Sequence, residues 1–392
     1  MVKLAQSIRS GEPLPVFVRR EYVNYMNLLP EKNKRRMEKL KTLTDAYSAI
    51  YTSGIFLSIT FLLATTLMLP GTSPMLILTA VLGLGFTMAL ISLLMYNTAR
   101  PESVPLEGKF RNKRQALART FALASVAAAL ALEVLSYQFF PEFTLAIGGL
   151  PLLLAGAIGK IYIRSVKKKE EEYLFFLRNF LSVLESNVPL LTALENALLV
   201  KYGGGLEKLL KRLYARLAFR IDRRIAWKSF EVETGSKLIH KINDIILDIA
   251  YRGGNIYEAS KVIEETYTTY IELRKRRYQI VSYFKGLIIP LHLAMCLLMG
   301  VVNAFFDLLL YYLQMISQAI QLVYIPAVDV LNLFFLSTIL IFSFTNTIAL
   351  YFTEGDSRYT LLFYLGFFTF IGRLVFLGSR LLTSSYLSSI KF

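Results

Sequence analysis

The chain has 392 residues, of which 55% are hydrophobic, 13% aromatic and only 18% charged, with a formal net charge of +16. Ordinary soluble proteins are about one-quarter charged and a single soluble core rarely exceeds roughly 250–300 residues, so this composition excludes one water-soluble globule and requires lipid. The lone cysteine, Cys296, lies in an apolar run and leaves no intramolecular disulfide.

Residues 1–46 are charged and lack an apolar h-region, so no cleavable signal peptide is expected and the first span stays as an anchor. Nearly charge-free runs of about 20 residues, the length that crosses a bilayer core, then predict seven spans near 47–70, 75–96, 118–138, 143–163, 282–306, 330–352 and 360–382. The turn Pro70-Gly71-Thr72-Ser73-Pro74 joins the first two. Residues 1–46 carry 10 Lys/Arg against 5 Asp/Glu, residues 97–119 carry 6 against 2, and residues 164–280 carry 22 against 15. These three surpluses together equal the whole net charge, and the positive-inside bias places all three segments in the cytosol. Single cysteines at Thr72 and Glu142 should therefore react with an impermeant reagent from outside, and one at Lys113 should not.

Between the fifth and sixth spans, Leu308 to Val328 is a further uncharged run in which Gln314, Ser317, Gln318 and Gln321 fall on one helical face. It reads as an outer amphipathic segment. The alternative is an eighth span with its polar face buried, and the side of the C-terminus depends on the choice.

The segment 164–281 between the fourth and fifth spans reads as a helical cytosolic domain. Tyr173, Leu174, Leu177, Phe180, Leu181 and Leu184 recur at helical spacing before a turn at Ser186-Asn187-Val188-Pro189. A second helix takes Leu190 to Val200 and ends at Gly203-Gly204-Gly205; a third takes Leu206 to about Arg220. A fourth carries Leu238, Ile242, Ile245, Ile246 and Ile249 to the break Gly253-Gly254, where the chain turns without a Cβ penalty. A final helix begins near Ile256 and contains Arg274-Lys275-Arg276-Arg277, a cytosolic stop signal at the lipid headgroups. The fold class is thus an all-α integral membrane protein of about seven transmembrane helices with a cytosolic antiparallel helical bundle. Its divisions are a helical segment 1–46, four spans over 47–163 with a basic cytosolic loop 97–117, the domain 164–281, and the remaining spans over 282–392.

At a constant offset of 242, Gly11 aligns with Gly253, Tyr25 with Tyr267 and Arg35 with Arg277, and both segments then run into a span. A shared turn, long helix, basic cluster and span suggests duplication. Residues 1–46 would then be the closing half of a first copy whose opening half is missing from this chain, through truncation or because a half-domain is tolerated.

Chemistry is scarce. His240 and His292 are far apart in sequence, and no HExxH or CxxC spacing occurs, so neither zinc nor another metal is expected. Gly203–Gly205 and Gly83-Leu84-Gly85 lack the Gly-Lys-Ser/Thr of a phosphate loop, and Gly83-Leu84-Gly85 is followed by Phe86 rather than a catalytic aspartate. Asp307 and Asp329 flank the outer segment as interfacial groups. Neither an enzyme, nor a cofactor, nor a nucleic-acid partner is expected.

Residues 173–310 resemble the F-type platform domain of type II secretion and type IV pilus systems, in particular the archaeal archaellum and pilus platform proteins. The residues that carry the resemblance are Pro189-Leu190 with Ala193-Leu194, then Trp227, Phe230, Glu231, Glu233, Thr234, Gly235 and Ser236, then Gly253-Gly254, and the Arg274–Arg277 cluster entering a span. Gly11-Glu12-Pro13-Leu14 with Arg35-Arg36 echoes the closing turn and helix. The resemblance implies a non-enzymatic assembly platform that docks a hexameric secretion ATPase and acts on pilin-like subunits, with a possible homodimer. The alternative is a multi-span transporter or channel with a cytosolic regulatory domain, which would use Glu133, Asn303, Asn346 and Arg373.

Far in sequence from both membrane boundaries lie Arg220, Arg223 and Arg224, with Arg212 and Arg216 on the preceding helix. Four-residue spacing would put Arg212, Arg216 and Arg220 on one face. The patch is either the ATPase-docking surface or a solvated basic face. Glu231 and Glu233 are expected to hold the adjoining turn and cap the helix that starts after Thr234.

Overall fold

The computed structural model describes residues 2–68, 74–106, 113–186, 188–254, 256–317 and 328–389. The outer turn at Thr72, Gln318 and Gln321 of the amphipathic face, part of the basic loop 97–117, and Asn187 lie outside the described residues. The described chain is helical: α1 Val2–Arg9, α2 Leu14–Met68, α3 Pro74–Thr98, α4 Lys113–Phe139, α5 Thr144–Leu184, α6 Leu190–Ala197, α7 Gly204–Ala218, α8 Arg223–Thr234, α9 Lys237–Arg252, α10 Ile256–Ser317, α11 Val328–Glu354 and α12 Tyr359–Ser389. Among the described residues seven helical stretches are long and apolar enough to cross a membrane, and each overlaps one of the seven predicted spans. This is an all-α multi-pass membrane protein. Residues 308–317, the start of the expected outer segment, continue α10 without a break.

Two compact units share the chain. One gathers residues 1–41, 169–231 and 238–279; the other gathers 42–168, 232–237 and 280–392.

The first unit is a bundle built on one aromatic spine. Tyr173, Phe176 and Phe180 lie on α5 at spacings of three and four, so they face the same way, and all three are fully buried. Phe176 stacks on Phe180 with ring centroids 5.2 Å apart, Phe180 meets Trp227 of α8 at 5.9 Å, and Tyr173 meets Tyr267 of α10 at 5.5 Å. Leu194, Leu210, Leu213, Ile239 and Ile242 fill in around the spine. Each large aromatic side chain so buried contributes a few kcal/mol, on the order of 3. Among the polar groups inside it, the Tyr173 hydroxyl donates to Asn243 Oδ1 and the Tyr267 hydroxyl to the Glu170 carbonyl.

In the second unit, Tyr47 of α2 donates to Asn346 Oδ1 of α11 at 2.7 Å, and the Asn346 amide lies 3.2 Å from His292 Nδ1 on α10. All three side chains are fully buried, so the polar atoms satisfy one another where lipid offers no partner. Arg373 of α12 donates to the Glu142 carbonyl at 2.8 Å and lies over the Phe376 ring, which is the structural pairing open to a charged group in a span. Two clusters of opposite charge tie the turn after α11 to other helices: Lys285 and Lys160 meet Glu354 at 2.9 and 3.4 Å, and Lys167 meets Asp356. Residues 104–106 and 235–237 pair as short extended strips, with the Leu106 amide donating to the Gly235 carbonyl at 2.9 Å and the Lys237 amide to the Val104 carbonyl at 3.1 Å. Gly235 has φ +71, and a Cβ there would lie 2.5 Å from the Tyr162 hydroxyl, so only glycine fits the turn.

Candidate docking site on the helical bundle

The expected basic patch belongs to the turn between α7 and α8, and its local architecture differs from the sequence expectation. α7 ends at Ala218. The Arg220 amide donates to the Leu217 carbonyl at 3.0 Å and the Ile221 amide to the Arg216 carbonyl at 3.0 Å, the paired bonds that close a helix through a left-handed residue. That residue is Arg220, at φ +57. Arg212 and Arg216 share a face of α7, but Arg220 has left the helix and does not extend it. The expectation of three arginines in one row is corrected on that point.

The second correction is a helix that the periodicity reading passed over. Arg223 and Arg224 are the first residues of α8, not part of a linker. Asp222 starts it by accepting the amides of Arg224 and Ile225 on Oδ1 at 2.9 and 3.2 Å. α8 buries Ala226, Trp227 and Phe230, an i, i+1, i+4 set that anchors one face in the bundle. Arg212, Arg220, Arg223 and Arg224 are exposed and Arg216 is half-buried. The Arg224 guanidinium lies 4.8 Å over the Tyr251 ring, which holds that charge against α9.

Glu231 and Glu233 sit in the last turns of α8 rather than in a turn. Glu231 is buried and its Oε2 lies 2.6 Å from His240 Nδ1, so it joins α8 to α9 through a side-chain pair instead of through helix amides. Burial pushes its carboxyl up to about 7, against the lowering effect of the His240 hydrogen bond. Glu231, His240 and Asp244 are the one group among the described residues whose donor atoms could approach a common ion. Glu231 faces Nδ1 and Asp244 faces Nε2 at 3.4 Å, on opposite sides of the imidazole. An ion takes one ring nitrogen, so this geometry fits an acid–imidazole–acid bridge better than a metal centre.

The remaining positions of the expected set are structural in their surroundings. Pro189 begins α6 with φ −54 and ψ 144, and its carbonyl accepts the Ala193 amide at 2.9 Å. Gly253 has φ +67 and the Gly254 amide donates to the Ile249 carbonyl at 3.0 Å, closing α9. Arg274 pairs with Glu170, a carboxylate only 1% exposed, while Lys275 and Arg276 are exposed and Arg277 is half-buried. At Arg274 the basic cluster therefore serves the bundle rather than the headgroups.

Phe219 is the residue the sequence reading missed. At 82% exposure it is the most exposed large apolar side chain among the described residues, and it immediately precedes Arg220. A phenylalanine at the end of an amphipathic helix carries no signal in periodicity, because the last turn of such a helix has no fixed inner face.

Comparison with known proteins places the bundle. Residues 176–306 match the family model described as type II secretion system (T2SS), protein F. Over 98% of its length the chain is 25% identical to Flagella accessory protein J of Methanocaldococcus jannaschii, covering 72% of that protein. It is 32% identical to Flagella accessory protein J of Methanococcus voltae over 40% of this chain, which covers 28% of that relative. No solved structure matches.

Proposed function

We propose, from the chain's similarity to the type II secretion F model and to the flagella accessory proteins, that it is the membrane assembly platform of an archaellum or archaeal type IV pilus-like machine. The observation that carries this is the conjunction of two matches: a type II secretion F match over the bundle and the span that follows it, and similarity along nearly the whole chain to an archaeal flagella accessory protein. The role is structural and non-enzymatic. The spans hold the protein in the cell membrane with the N-terminus in the cytosol, the bundle docks a hexameric secretion ATPase, and the membrane helices meet pilin-like subunits. Residues 1–46 are the closing half of a first platform-type domain.

The ATPase meets the bundle at the α7–α8 turn, through Arg212, Arg216, Arg220, Arg223 and Arg224. Exposed arginines steer an acidic partner at rates that fall with ionic strength. The test uses this chain in nanodiscs and the cognate secretion ATPase, with affinity measured at low and moderate salt. Changing Arg216, Arg220, Arg223 and Arg224 together to Glu is expected to abolish low-salt binding while helicity is retained. Unchanged affinity would remove this patch as the docking site.

A further inference from the structure

The α7–α8 turn is more than a basic surface. It combines an exposed aromatic side chain, Phe219, with exposed Ile221 at 42% and Ile225 at 61%. Its backbone is fixed from both sides, by the two bonds that close α7 and the two amides that Asp222 caps on α8. A side chain on such a turn gives up little freedom on binding.

The same pair of closing bonds occurs after α1, and the longer bond of the pair after α9. The Gly11 amide donates to the Ile8 carbonyl and the Glu12 amide to the Ser7 carbonyl after α1, and the α9–α10 turn carries the corresponding Gly254 bond. The left-handed residue is Gly11 in one and Gly253 in the other, but Arg220 here. A non-glycine residue at positive φ is held there against its preference, and such outliers gather at binding surfaces.

We infer that Phe219 is the apolar anchor of a docking knob whose partner presents an apolar pocket bordered by carboxylates, with Arg216, Arg220 and Arg223 meeting those carboxylates. This rests on the docking reading above and commits to the ATPase as the occupant. Charge governs how fast the partners meet; the aromatic side chain, once desolvated, governs how long they stay. Interfaces concentrate their affinity in such Phe, Tyr, Trp and Arg positions at the centre of a contact. Leu199 supplies the internal control. It is 81% exposed but lies in the turn that precedes α7, a helix roughly 22 Å long that ends beside Phe219.

The measurement is affinity of this chain, in nanodiscs of zwitterionic lipid, for the ATPase at low and moderate salt. Phe219→Ala is expected to weaken binding about tenfold or more at both salt concentrations, because an apolar contact is not screened. Arg220→Gly, which suits the turn's backbone, is expected to weaken binding at low salt and to approach wild type as salt rises. Leu199→Ala should bind as wild type does. If Phe219→Ala binds normally while the arginine-to-glutamate variant does not, the anchor is overturned and the docking reading stands; if the wild-type chain does not bind the ATPase, both fall. A Phe219→Ala variant that keeps ATPase affinity but loses tethering to phosphatidylglycerol vesicles would overturn the anchor in favour of a membrane contact.

Discussion

The segments that begin at Gly11 and Gly253 share a left-handed glycine and a helix-closing bond six residues long, and each leads into a helix of more than 50 residues. Beyond the turn they part. Tyr267 is fully buried and donates to the Glu170 carbonyl at 2.7 Å, whereas Tyr25, at the matching position, is 54% exposed. Arg274 pairs with buried Glu170, whereas its counterpart Lys32 is exposed; Arg35, the counterpart of Arg277, pairs with Glu31 one turn away on the surface. Local sequence reproduces the turn in both places. Burial depends on what the rest of the bundle brings, and α5 sets Tyr173 and Glu170 against Tyr267 and Arg274 of α10. The N-terminal segment touches α10 instead through Tyr22, whose hydroxyl lies 3.0 Å from Thr266 Oγ1.

The contrast is sharpest at the aromatic pair. Tyr267→Ala should destabilise the protein by about 3–5 kcal/mol, as for a buried aromatic residue, and Tyr25→Ala by less than about 0.5. Equal shifts in the thermal midpoint, followed by circular dichroism in detergent, would abolish the distinction. Removing Arg274 takes an ion-pair partner from the buried Glu170 carboxylate and should cost up to about 3 kcal/mol, against roughly 0.3–0.5 for Arg35→Ala, whose partner stays in water.

A smaller difference concerns pH. Glu231 lies in the part of the bundle that the N-terminal segment does not repeat. Burial raises its carboxyl from about 4.5 to about 7, with His240, Asp244 and Lys228 as the charged neighbours. The folded state therefore holds that proton more tightly than the unfolded chain, and this contribution is complete below pH 4.5 and lost as pH rises through 7. The midpoint should fall between pH 5 and 8, and Glu231→Gln should flatten the decline; a wild-type curve of unchanged slope in the Gln variant would remove Glu231 as its cause.

The smallest expected effects are those the two turns have in common. No atom lies within 4 Å of a Cβ built on Gly11 or Gly253, so alanine at either position should cost only the left-handed backbone, about 1 kcal/mol each. Arg220→Gly, in the third turn of this kind, should act in the opposite direction by up to about 1 kcal/mol, less the freedom glycine adds to the unfolded chain.

The spans were legible because uncharged runs of sufficient length have few other uses, and α5, α9 and α10 were legible because their apolar residues keep helical spacing. α8 was not. It opens with Arg223-Arg224 and carries Glu231 and Glu233, so its inner face reduces to Ala226, Trp227 and Phe230; the signal available was Asp222 as an N-cap. The end of α7 was misjudged by two residues because no glycine marks it. The contacts of Tyr47, His292 and Asn346, and of Lys160, Lys285 and Glu354, join residues too distant in sequence for any local pattern to report them.

The two units are interleaved along the chain, and this bears on how the protein is made. The bundle needs residues 1–41 together with residues up to 279, and the membrane unit needs residues 232–237 together with those up to 392. As the ribosome releases the chain, each unit must wait for pieces separated by more than 100 residues, so neither can fold and be set aside before the other begins. The early spans enter the bilayer with the α8–α9 turn still unsynthesised, and the strip at residues 104–106 has no partner until Gly235 emerges. An excised fragment spanning 165–281 would lack the N-terminal helix and would carry an orphaned turn whose hydrogen bonds belong elsewhere.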